Sequence, residues 1–368
     1  MTPNLRLFLA GDVMVGRGID QILPHPGDPT LYESYLNSAA DYVALAERRC
    51  GAIPRAVRAD YVWGDLVSDL QQRHCDLRLV NLETAITATG RPEPKGINYR
   101  MHPANASVLT AAGIDACILA NNHVLDWGRP GLAETLQVLK DTGVAQSGAG
   151  HTRDEAATPL VLTTPGKPRV LLLAYAALSS GVPSSWAAGP QMPGVNLLPA
   201  DLDETIAAAR ASLGAVRQDG DVVIISLHWG GNWGYRIDPE ERALAHALID
   251  TADVDIVYGH SSHHPKAMEV HSGKLILYGC GDLINDYEGI GGHDQYRSDL
   301  VLAYVVDLLP KSGTLGALTM IPYRIHAFRL KRADAGEAQW LADMLDRECL
   351  AFGGHVSLAP DLTLLLSR

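Results

Sequence analysis

Side chains that can bind metal ions recur where predicted strands end. Short apolar runs, typical of buried strands, are followed at once by a carboxylate, an amide or an imidazole. These residues are Asp12, Glu83, Asn122, His123, His228, His260 and His263. Open α/β sheets bind ligands beyond the carboxyl ends of their strands, so we expect the five loops to meet at one crevice. Such a mixture of oxygen and imidazole ligands suits Mn, Fe or Zn, and Mg or Ca if oxygens dominate.

Each of these residues also has an ordinary structural interpretation. The two asparagines in ILANNHVLDWG (residues 118–128) are typical of a capped turn between a strand and a helix. A lone histidine is more often a partly buried structural residue than a metal ligand. The recurrence at five successive strand ends nevertheless favours one shared cause. The sequence therefore predicts a metal centre.

The elements that must position these residues alternate between strands and helices. Val-, Ile- and Leu-rich runs such as RVLLLAYA and DVVIISL are separated by amphipathic stretches at 130–142, 202–217 and 239–251. This alternation predicts an α/β fold with sheets covered by helices. From 274 to 330 strand follows strand, which predicts a meander completing a second sheet, and a closing helix is expected at about 336–351.

The chain contains no internal repeat and no linker that would separate domains, so we expect one domain over residues 1–368. Two irregular segments stand out, at about 23–60 and 179–200. Long loops in a compact domain are usually functional, and we expect these two to cover the substrate.

Composition excludes several classes of partner. The 368 residues are 47% hydrophobic and carry a formal charge of −12, which argues against nucleic acid or an anionic membrane as the main partner. The apolar run at the amino terminus is too short for a signal peptide, and no run approaches the length of a membrane helix. The five cysteines form no C-x-x-C pair, which predicts reduced residues in a cytoplasmic protein.

Taken together, GDVMVGR, NLE, NNHVLDWG, HWG and GHSSH followed by GKLILYGCGDLI resemble the CapA family of capsule and poly-γ-glutamate synthesis proteins. That family is related to the calcineurin-like metallophosphoesterases, and the resemblance runs from about residue 5 to about residue 305. It implies a calcineurin-like α/β fold, a two-sheet β-sandwich flanked by helices in the order αββα. It also implies a metal site at the loops of one edge. Carried over by position, the metal ligands are Asp12, Glu83, Asn122, His228, His260 and His263.

The resemblance also gives His123 the position of the general acid in the phosphoesterases. Two departures matter. Met14 stands where the phosphoesterases have a histidine ligand, and the longer Glu83 stands where they bridge two metals with aspartate. We therefore expect one or two divalent ions and no organic cofactor, with Asp12 available as a base if only one ion is held.

Some relatives of this family are epimerases, and the enzyme that inverts the C-terminal residue of a lasso-peptide precursor looks particularly similar. Inversion of Cα needs one proton-transferring group on each face of the carbon. Asp12 is the candidate for one face and His293, after two glycines, for the other, with His123 as its competitor. A mobile surface loop explains His293 equally well. The prediction is a metal-dependent epimerase acting on a peptide or polypeptide through an enolate.

The same interpretation assigns substrate contacts. Arg17 and Arg297 are the cations expected to meet a substrate carboxylate. Trp127, Trp229 and Trp233 lie in motif loops and are expected to wall the pocket, although packing between loops accounts for them equally well. Two alternatives remain open: a metallophosphoesterase or other metal hydrolase, and a capsule-synthesis module that binds polymer without converting it. The sequence does not determine the oligomeric state.

Overall fold

The computed structural model describes residues 4–309 and 312–368. In chain order its strands are β1 Leu5–Val13, β2 Leu77–Leu82, β3 Ala85–Ile86, β4 Arg100–Met101, β5 Ala116–Ile118, β6 Ala145–Ser147, β7 Ala149–Gly150, β8 Leu160–Leu162, β9 Val170–Ala176, β10 Gly194–Val195, β11 Val222–His228, β12 Ile256–His260, β13 Met268–His271, β14 Lys274–Leu277, β15 Asp282–Ile284, β16 Leu300–Leu308, β17 Leu315–Ile325, β18 Leu330–Arg332, β19 His355–Leu358 and β20 Leu364–Ser367. The α-helices are α1 Arg17–Asp20, α2 Ala39–Cys50, α3 Leu66–Arg73, α4 Ser107–Ala111, α5 Gly128–Thr142, α6 Arg153–Ala157, α7 Leu202–Gly214, α8 Pro239–Ala252 and α9 Ala335–Cys349.

Two large sheets carry most of these strands. The larger has the order β19-β20-β17-β16-β1-β2-β5-β6, with β15 also pairing with β1 and β18 with β17. The smaller has the order β13-β14-β12-β11-β9-β8. Within them, β1-β2-β5-β6 and β9-β11-β12-β14 are parallel runs. Each sheet therefore presents a row of carboxyl-terminal strand ends, where α/β sheets hold their ligands.

The core lies between the two sheets and on their outer faces. Side chains alternate along β9, so that Leu172 joins the main core cluster while Leu171 and Leu173 join a second cluster behind it. The hydroxyl of Tyr258 on β12 accepts a hydrogen bond from the backbone nitrogen of Ala10 on β1 at 3.0 Å, which ties the two sheets together.

Helices cover both sheets. Residues of α7 and α8, such as Leu213 and Leu248, pack into the second cluster against the smaller sheet. Leu66 of α3, Leu109 of α4 and Leu341 of α9 pack into the main cluster with the larger sheet. The predicted α/β class, with two sheets flanked by helices, is confirmed.

Several boundaries agree with the sequence-based expectation, since the helices expected at 130–142, 239–251 and 336–351 begin and end within two residues of the observed limits. The predicted meander is wrong in one respect. Strand β16 pairs with β1 and β17 pairs with β16 in the larger sheet, whereas only β14 of this region belongs to the smaller one.

The two long segments are less irregular than expected. The first contains the twelve-residue helix α2, and the second contains two 3₁₀ turns and strand β10. Trp186 is buried within the second segment, which is therefore packed onto the body of the protein rather than detached from it. Among the described residues, no helix has the length and apolar character that crossing a membrane requires.

Candidate metal centre

The predicted ligands lie together because the strands that carry them end in register. His228 and His260 are direct partners at the ends of the parallel strands β11 and β12. On the larger sheet, Asp12 of β1 pairs with Asn81 on one side and with Asp282 of β15 on the other. The two rows of strand ends thus place imidazoles from one sheet opposite carboxylates from the other.

Gly11 permits this arrangement of Asp12. A Cβ at position 11 would lie 1.6 Å from the carbonyl oxygen of Gly281, a distance that no side chain tolerates. The close approach allows the Asp12 amide to donate to that same carbonyl at 3.0 Å. The pairing of β1 with β2 also shifts by one residue at this point, which sets the direction of the Asp12 side chain.

Asp12 is shared by two groups of potential ligand atoms. Asp12, Glu83 and His228 form one group, and Asp12, His263 and Asp282 form the other, each with its ligand atoms within 4.8 Å of one another. All five residues are buried. A carboxylate common to two ligand groups is an arrangement suited to two neighbouring cations.

Two buried polar atoms at the centre lack partners. Nδ1 of His260 and Oε2 of Glu83 make no hydrogen bond in the structure. Nδ1 of His260 lies 3.9 Å from Oδ1 of Asp12, and its Nε2 is held by the hydroxyl of Ser226 at 2.8 Å. Unpaired buried polar atoms are costly, and a cation would satisfy both of them. The donor set therefore fits a divalent metal.

The protonation states of the centre respond to its burial. Burial raises the pKa of Asp12 to about 6, and the nearby Asp282 carboxylate adds to the rise. Burial, followed by repulsion from Asp12, raises the pKa of Glu83 well above its usual range. Burial lowers the pKa of His260 to about 3 and that of His228 well below its usual value. The imidazoles of His228 and His260 are accordingly neutral, as metal ligands must be. Burial also works against a charged His263, but the Asp282 carboxylate outweighs it and raises the pKa of His263.

Asn121, Asn122 and His123 have three different roles. Asn121 is the capping residue, because its side-chain oxygen accepts from the backbone nitrogens of His123 at 3.1 Å and Val124 at 3.0 Å. Oδ1 of Asn122 lies 3.1 Å from Nε2 of His228 and so belongs to the centre. His123 points its Nε2 toward Glu83, with 3.7 Å between Nε2 and Oε1.

His123 is held by a carboxylate and a lysine. Its Nδ1 lies 2.6 Å from Oδ2 of Asp126, and the other oxygen of Asp126 accepts from Nζ of Lys95 at 2.7 Å. Nζ of Lys95 also hydrogen-bonds the carbonyl of Asn122. Burial lowers the pKa of His123 to about 4, although Asp126 opposes this effect. The result is a neutral imidazole with its Nδ1 hydrogen directed at Asp126.

A cavity of about 210 Å³ opens beside the centre. Its walls include His123 and His263, and also His293, Trp233 and the rings of Tyr99 and Tyr287. The rings of His293 and Trp233 are stacked with their centroids 3.9 Å apart. The structure thus brings His293 to the same cavity as His123, whereas Asp12 lies beneath it and is fully buried.

Comparison with known proteins identifies the family of the chain. Residues 6–287 match the family model described as bacterial capsule synthesis protein PGA_cap. The chain belongs to the PGA_cap family.

Its relatives include a probable polyglutamine synthesis accessory protein of Mycobacterium tuberculosis, which is 47% identical over 358 residues and is matched over 96% of this chain and 94% of that protein. The PGA biosynthesis protein CapA of Bacillus subtilis is 25% identical over 88% of this chain and 75% of its own length. The capsule biosynthesis protein CapA of Bacillus anthracis is 24% identical over 77% and 60%. The resemblance to CapA is confirmed.

In this PGA_cap chain, Met14 occupies the position at which the phosphoesterases have a histidine ligand. Met14 is fully buried, and its sulfur accepts a hydrogen bond from the hydroxyl of Tyr287 at 3.8 Å. The group that contains His263 obtains its third ligand atom from Asp282 instead. Loss of the motif histidine therefore does not leave the second ligand group empty.

The two arginines expected to meet a substrate carboxylate are already paired. Arg17 is buried, and it donates to Asp286 at 2.9 Å, to Glu33 at 2.9 Å and to the hydroxyl of Tyr42 at 2.8 Å. Arg297 pairs with both oxygens of Asp299, at 2.8 and 2.9 Å, outside the cavity beside the metal centre. The guanidinium of Arg17 has no free pair of donors, whereas Nη1 of Arg297 remains available but does not face this cavity.

The three tryptophans have different surroundings. Trp233 lines the cavity, as expected of a substrate contact. Trp229 is buried behind the smaller sheet, where it stacks on Tyr278 and donates its indole hydrogen to the Tyr278 carbonyl at 2.9 Å. Trp127 lies under the guanidinium of Arg100, 3.7 Å from ring centre to Cζ. The structure places both Trp127 and Trp229 in packing positions.

Three residues of the site were not singled out from the sequence. Asp282 lies in the quoted motif GKLILYGCGDLI, and its position after a predicted strand is the same signal that identified Asp12. Asp126 follows His123 by three residues, a spacing that brings the two together in a turn. Lys95 lies in an unpatterned Pro- and Gly-rich loop, where nothing local indicated its contact with the site.

Proposed function

We propose that this PGA_cap protein is a metal-dependent hydrolase that acts on a polypeptide, with His123 transferring the proton. The observation that carries the proposal is the sharing of Asp12 by two ligand groups, with the oriented imidazole of His123 at their border. Hydrolysis needs one proton-transferring group beside the metal centre, and this arrangement supplies it.

The ligand positions follow from the two groups. Asp12, Glu83 and His228, with Asn122 and His260 beside them, would hold one divalent ion. Asp12, His263 and Asp282 would hold the other. A bound cation supplies a Lewis acid that polarises a carbonyl group and makes water a stronger nucleophile near neutral pH.

His123 accepts and returns the proton. The Nδ1 hydrogen of His123 is donated to Asp126 in a hydrogen bond. Its Nε2 therefore carries a lone pair that can take a proton from the attacking water and pass it to the departing amine. The carbon–nitrogen bond breaks, the oxygen of water remains on the new carboxyl group, and the amine leaves with the proton from His123; the second proton of water is lost to solvent as the carboxyl group ionises. Asp126 and Lys95 hold the ring in this orientation throughout.

The names of the relatives indicate the class of polymer on which the protein acts. Their names refer to polyglutamine synthesis and to PGA and capsule biosynthesis, all of which involve extended polymers. A polypeptide made of glutamyl or glutaminyl units is therefore the proposed substrate. Trimming or release of such a chain is a hydrolytic step that suits an accessory protein.

Epimerisation of a polypeptide residue is the second candidate, and one observation favours it. His123 and His293 line the same cavity, where they could face a Cα from two sides. Both oxygens of Asp12 are engaged below the cavity, by Asn81 at 2.7 Å and by the Ser261 amide at 3.3 Å. An epimerase would accordingly use His123 with His293 rather than Asp12 with His293.

One experiment separates the candidates. Protein reconstituted with Mn²⁺ or Zn²⁺ is incubated with α- and γ-linked glutamyl and glutaminyl oligomers, in H₂¹⁸O and separately in D₂O, and the products are analysed by mass spectrometry and chiral chromatography. We expect cleavage with ¹⁸O in the new carboxyl group, and its loss in chelated protein and in His123→Gln. Deuterium at Cα without cleavage would establish the epimerase instead. No conversion of any oligomer would favour a polymer-binding module.

A further inference from the structure

Asn81 is a fully buried amide within the apolar strand β2, and it is not one of the proposed ligands. We infer that Asn81 is a positioning residue, which fixes the carboxylate of Asp12 in the orientation that lets two cations share it. The inference rests on the proposed function for the presence of two cations. It concerns metal binding, however, and does not depend on which reaction follows.

The strand register brings three polar side chains into one row. Parallel pairing of β1 with β2 places Asp12 opposite Asn81, and pairing of β2 with β5 places Asn81 opposite Ile118, three residues before Asn121. The side chains of Asp12, Asn81 and Asn121 are all fully buried. A buried amide without partners costs about 1–3 kcal/mol, so a polar residue persists in such a strand only where its groups are bonded.

The backbone sets the direction of the hydrogen bonds along this row. Oδ1 of Asn121 accepts from the backbone nitrogens of His123 and Val124, so its Nδ2 must face β2. That Nδ2 donates to Oδ1 of Asn81 at 3.1 Å and to a backbone carbonyl of β2 at 2.9 Å. Because its oxygen is thus an acceptor, Asn81 turns its own Nδ2 to Asp12 and donates to Oδ1 at 2.7 Å. The reversed amide would bring two oxygens together.

Asp12 is held by one donor on each oxygen. Asn81 donates to Oδ1, and the backbone nitrogen of Ser261 donates to Oδ2 at 3.3 Å. Each carboxylate oxygen has two lone pairs, so each keeps one for a cation. A carboxylate held in this way offers one oxygen to each ligand group, whereas a free one turns both oxygens to a single cation. Nδ2 of Asn81 also lies 3.4 Å from Nδ1 of His228, which is too long to orient that ring.

A similar buried pair shows what a purely structural asparagine does. Nδ2 of Asn105 donates to Oδ1 of Asp20 at 2.7 Å, which is the length of the bond from Asn81 to Asp12. Two backbone nitrogens also donate to Asp20, at 2.7 and 2.9 Å, so protein donors supply both of its oxygens. Asp12 has one short donor and one long one. The difference leaves Asp12 open to cations.

The test is how two Mn²⁺ ions bind, rather than turnover. Full-length protein, freed of metal by a chelator, is titrated with Mn²⁺ by calorimetry and by electron paramagnetic resonance, in which two ions that share a carboxylate give a spin-coupled signal. The variant is Asn81→Thr, because threonine suits a strand but its short hydroxyl cannot bond Asp12 and Asn121 at once. We expect the wild type to give the coupled signal.

In Asn81→Thr the second ion should bind about 10- to 100-fold more weakly, the usual effect of losing a residue that orients a ligand. The first ion should change by less than about threefold, because a freed Asp12 can turn toward it. The coupled signal should therefore appear only at higher Mn²⁺ concentration. The inference is overturned if the wild type gives no coupled signal, if the second ion binds Asn81→Thr as it binds the wild type, or if both ions weaken equally.

Two further variants separate positioning from stability. Asn105→Thr breaks the comparable pair with Asp20, so it should lower Tm about as much as Asn81→Thr and leave both Mn²⁺ affinities unchanged. Asn121→Ser keeps an oxygen that caps the turn of His123 but loses the donor to Asn81. We expect it to weaken the second ion about 3- to 10-fold. If Asn81→Thr does not fold, an unchanged second-ion affinity in Asn121→Ser overturns the inference.

The outcomes for the two proposals are distinguishable. A weakened second ion in Asn81→Thr, with no cleavage of any oligomer by the wild type, would leave this inference standing and remove the proposed hydrolysis. Cleavage by the wild type, with an unchanged second-ion affinity in Asn81→Thr, would do the reverse.

Discussion

Nδ1 of His260 lies 3.9 Å from Oδ1 of Asp12, and both side chains are fully buried. The opposite nitrogen of the ring is held by Ser226, so the ring is fixed with its unpaired nitrogen toward the carboxylate. A buried nitrogen without a partner costs about 1–3 kcal/mol. That cost is offset if both groups bind one cation. The relationship explains why a rigid core histidine is directed at a carboxylate that it does not touch.

Loss of either strand-end histidine should release the metal. We expect His260→Ala and His228→Ala to lower metal affinity at least about 100-fold, because even residues that only support a ligand change affinity by 10- to 100-fold. Metal content by mass spectrometry and affinity by calorimetry are the measurements, with circular dichroism to verify the fold. His355→Ala, an exposed histidine on β19, is the matched control. Wild-type metal content in both site variants would contradict the assignment.

The pair formed by His123 and Asp126 should matter for turnover and not for metal binding. Asp126→Asn loses the acceptor that fixes the Nδ1 hydrogen of His123, and it also disturbs the contacts with Lys95 and with the backbone nitrogen of Tyr99. We expect Asp126→Asn and His123→Gln to lower kcat by about 10²- to 10⁴-fold, the range for a lost acid/base group. Metal content should stay within twofold of wild type. A parallel loss of metal would show that the pair supports the ligands instead.

Much of the site could be predicted because the signal was local. Asp12, His228 and His260 each follow an apolar strand, and parallel pairing then places them at one edge. Asp282 gave the same signal within a quoted motif. Lys95 could not be found in this way, because its contact with Asp126 depends on how a Pro- and Gly-rich loop folds back over 31 residues.

The rest of the fold and site could not be predicted, because it depends on contacts between distant parts of the chain. Strands β16 and β17 were expected in a second sheet, yet β16 pairs with β1 across roughly 300 residues and brings β17 with it. Local hydrophobic patterns do not encode such partners. The partner of Arg17 could not be predicted either, because its burial depends on Asp286 from a distant part of the chain. A charged residue in a motif indicates importance, but the sequence does not show whether its charge is already matched.

Metal affinity should fall as the pH drops below about 6. Burial raises the pKa of Asp12 to about 6 and that of Glu83 well above its usual range, so protons compete with the metal for both carboxylates as the pH falls. His260, with its pKa lowered to about 3, does not compete in this range. We expect the metal to bind at least about tenfold more weakly for each pH unit below 6, measured by calorimetry in two buffers that differ in ionisation enthalpy. Affinity that does not change between about pH 5 and 7 would exclude Asp12 as the shared ligand.

The metal-free protein should also lose stability as the pH falls. Burial lowers the pKa of His123 to about 4 and that of His260 to about 3, whereas a histidine in the unfolded chain has a pKa of about 6.5. Between about pH 4 and 6.5 the unfolded chain therefore binds more protons than the folded chain, and these histidines together with His228 outweigh the opposite contribution of the raised pKa of Asp12. Denaturant unfolding in the presence of a chelator should give a lower free energy of unfolding at pH 5 than at pH 7. Saturating Mn²⁺ should enlarge this difference, because the metal binds more tightly at pH 7.

Two tryptophans with the same sequence signal should behave differently. Trp229 is buried against Tyr278 and donates to its carbonyl, so Trp229→Ala should lower the free energy of unfolding by about 3–5 kcal/mol. Trp233 is only partly buried and stacks on His293 at the cavity wall. Trp233→Ala should cost less than about 1.5 kcal/mol of stability but raise KM for the polypeptide, because the cavity loses one wall. Guanidinium unfolding and steady-state kinetics on the two variants, with Trp340→Ala as a third tryptophan remote from the cavity, separate the two roles. If Trp233→Ala left KM unchanged and destabilised the fold as much as Trp229→Ala, the cavity wall would be a packing element and His293 would lose its support as a substrate-facing residue.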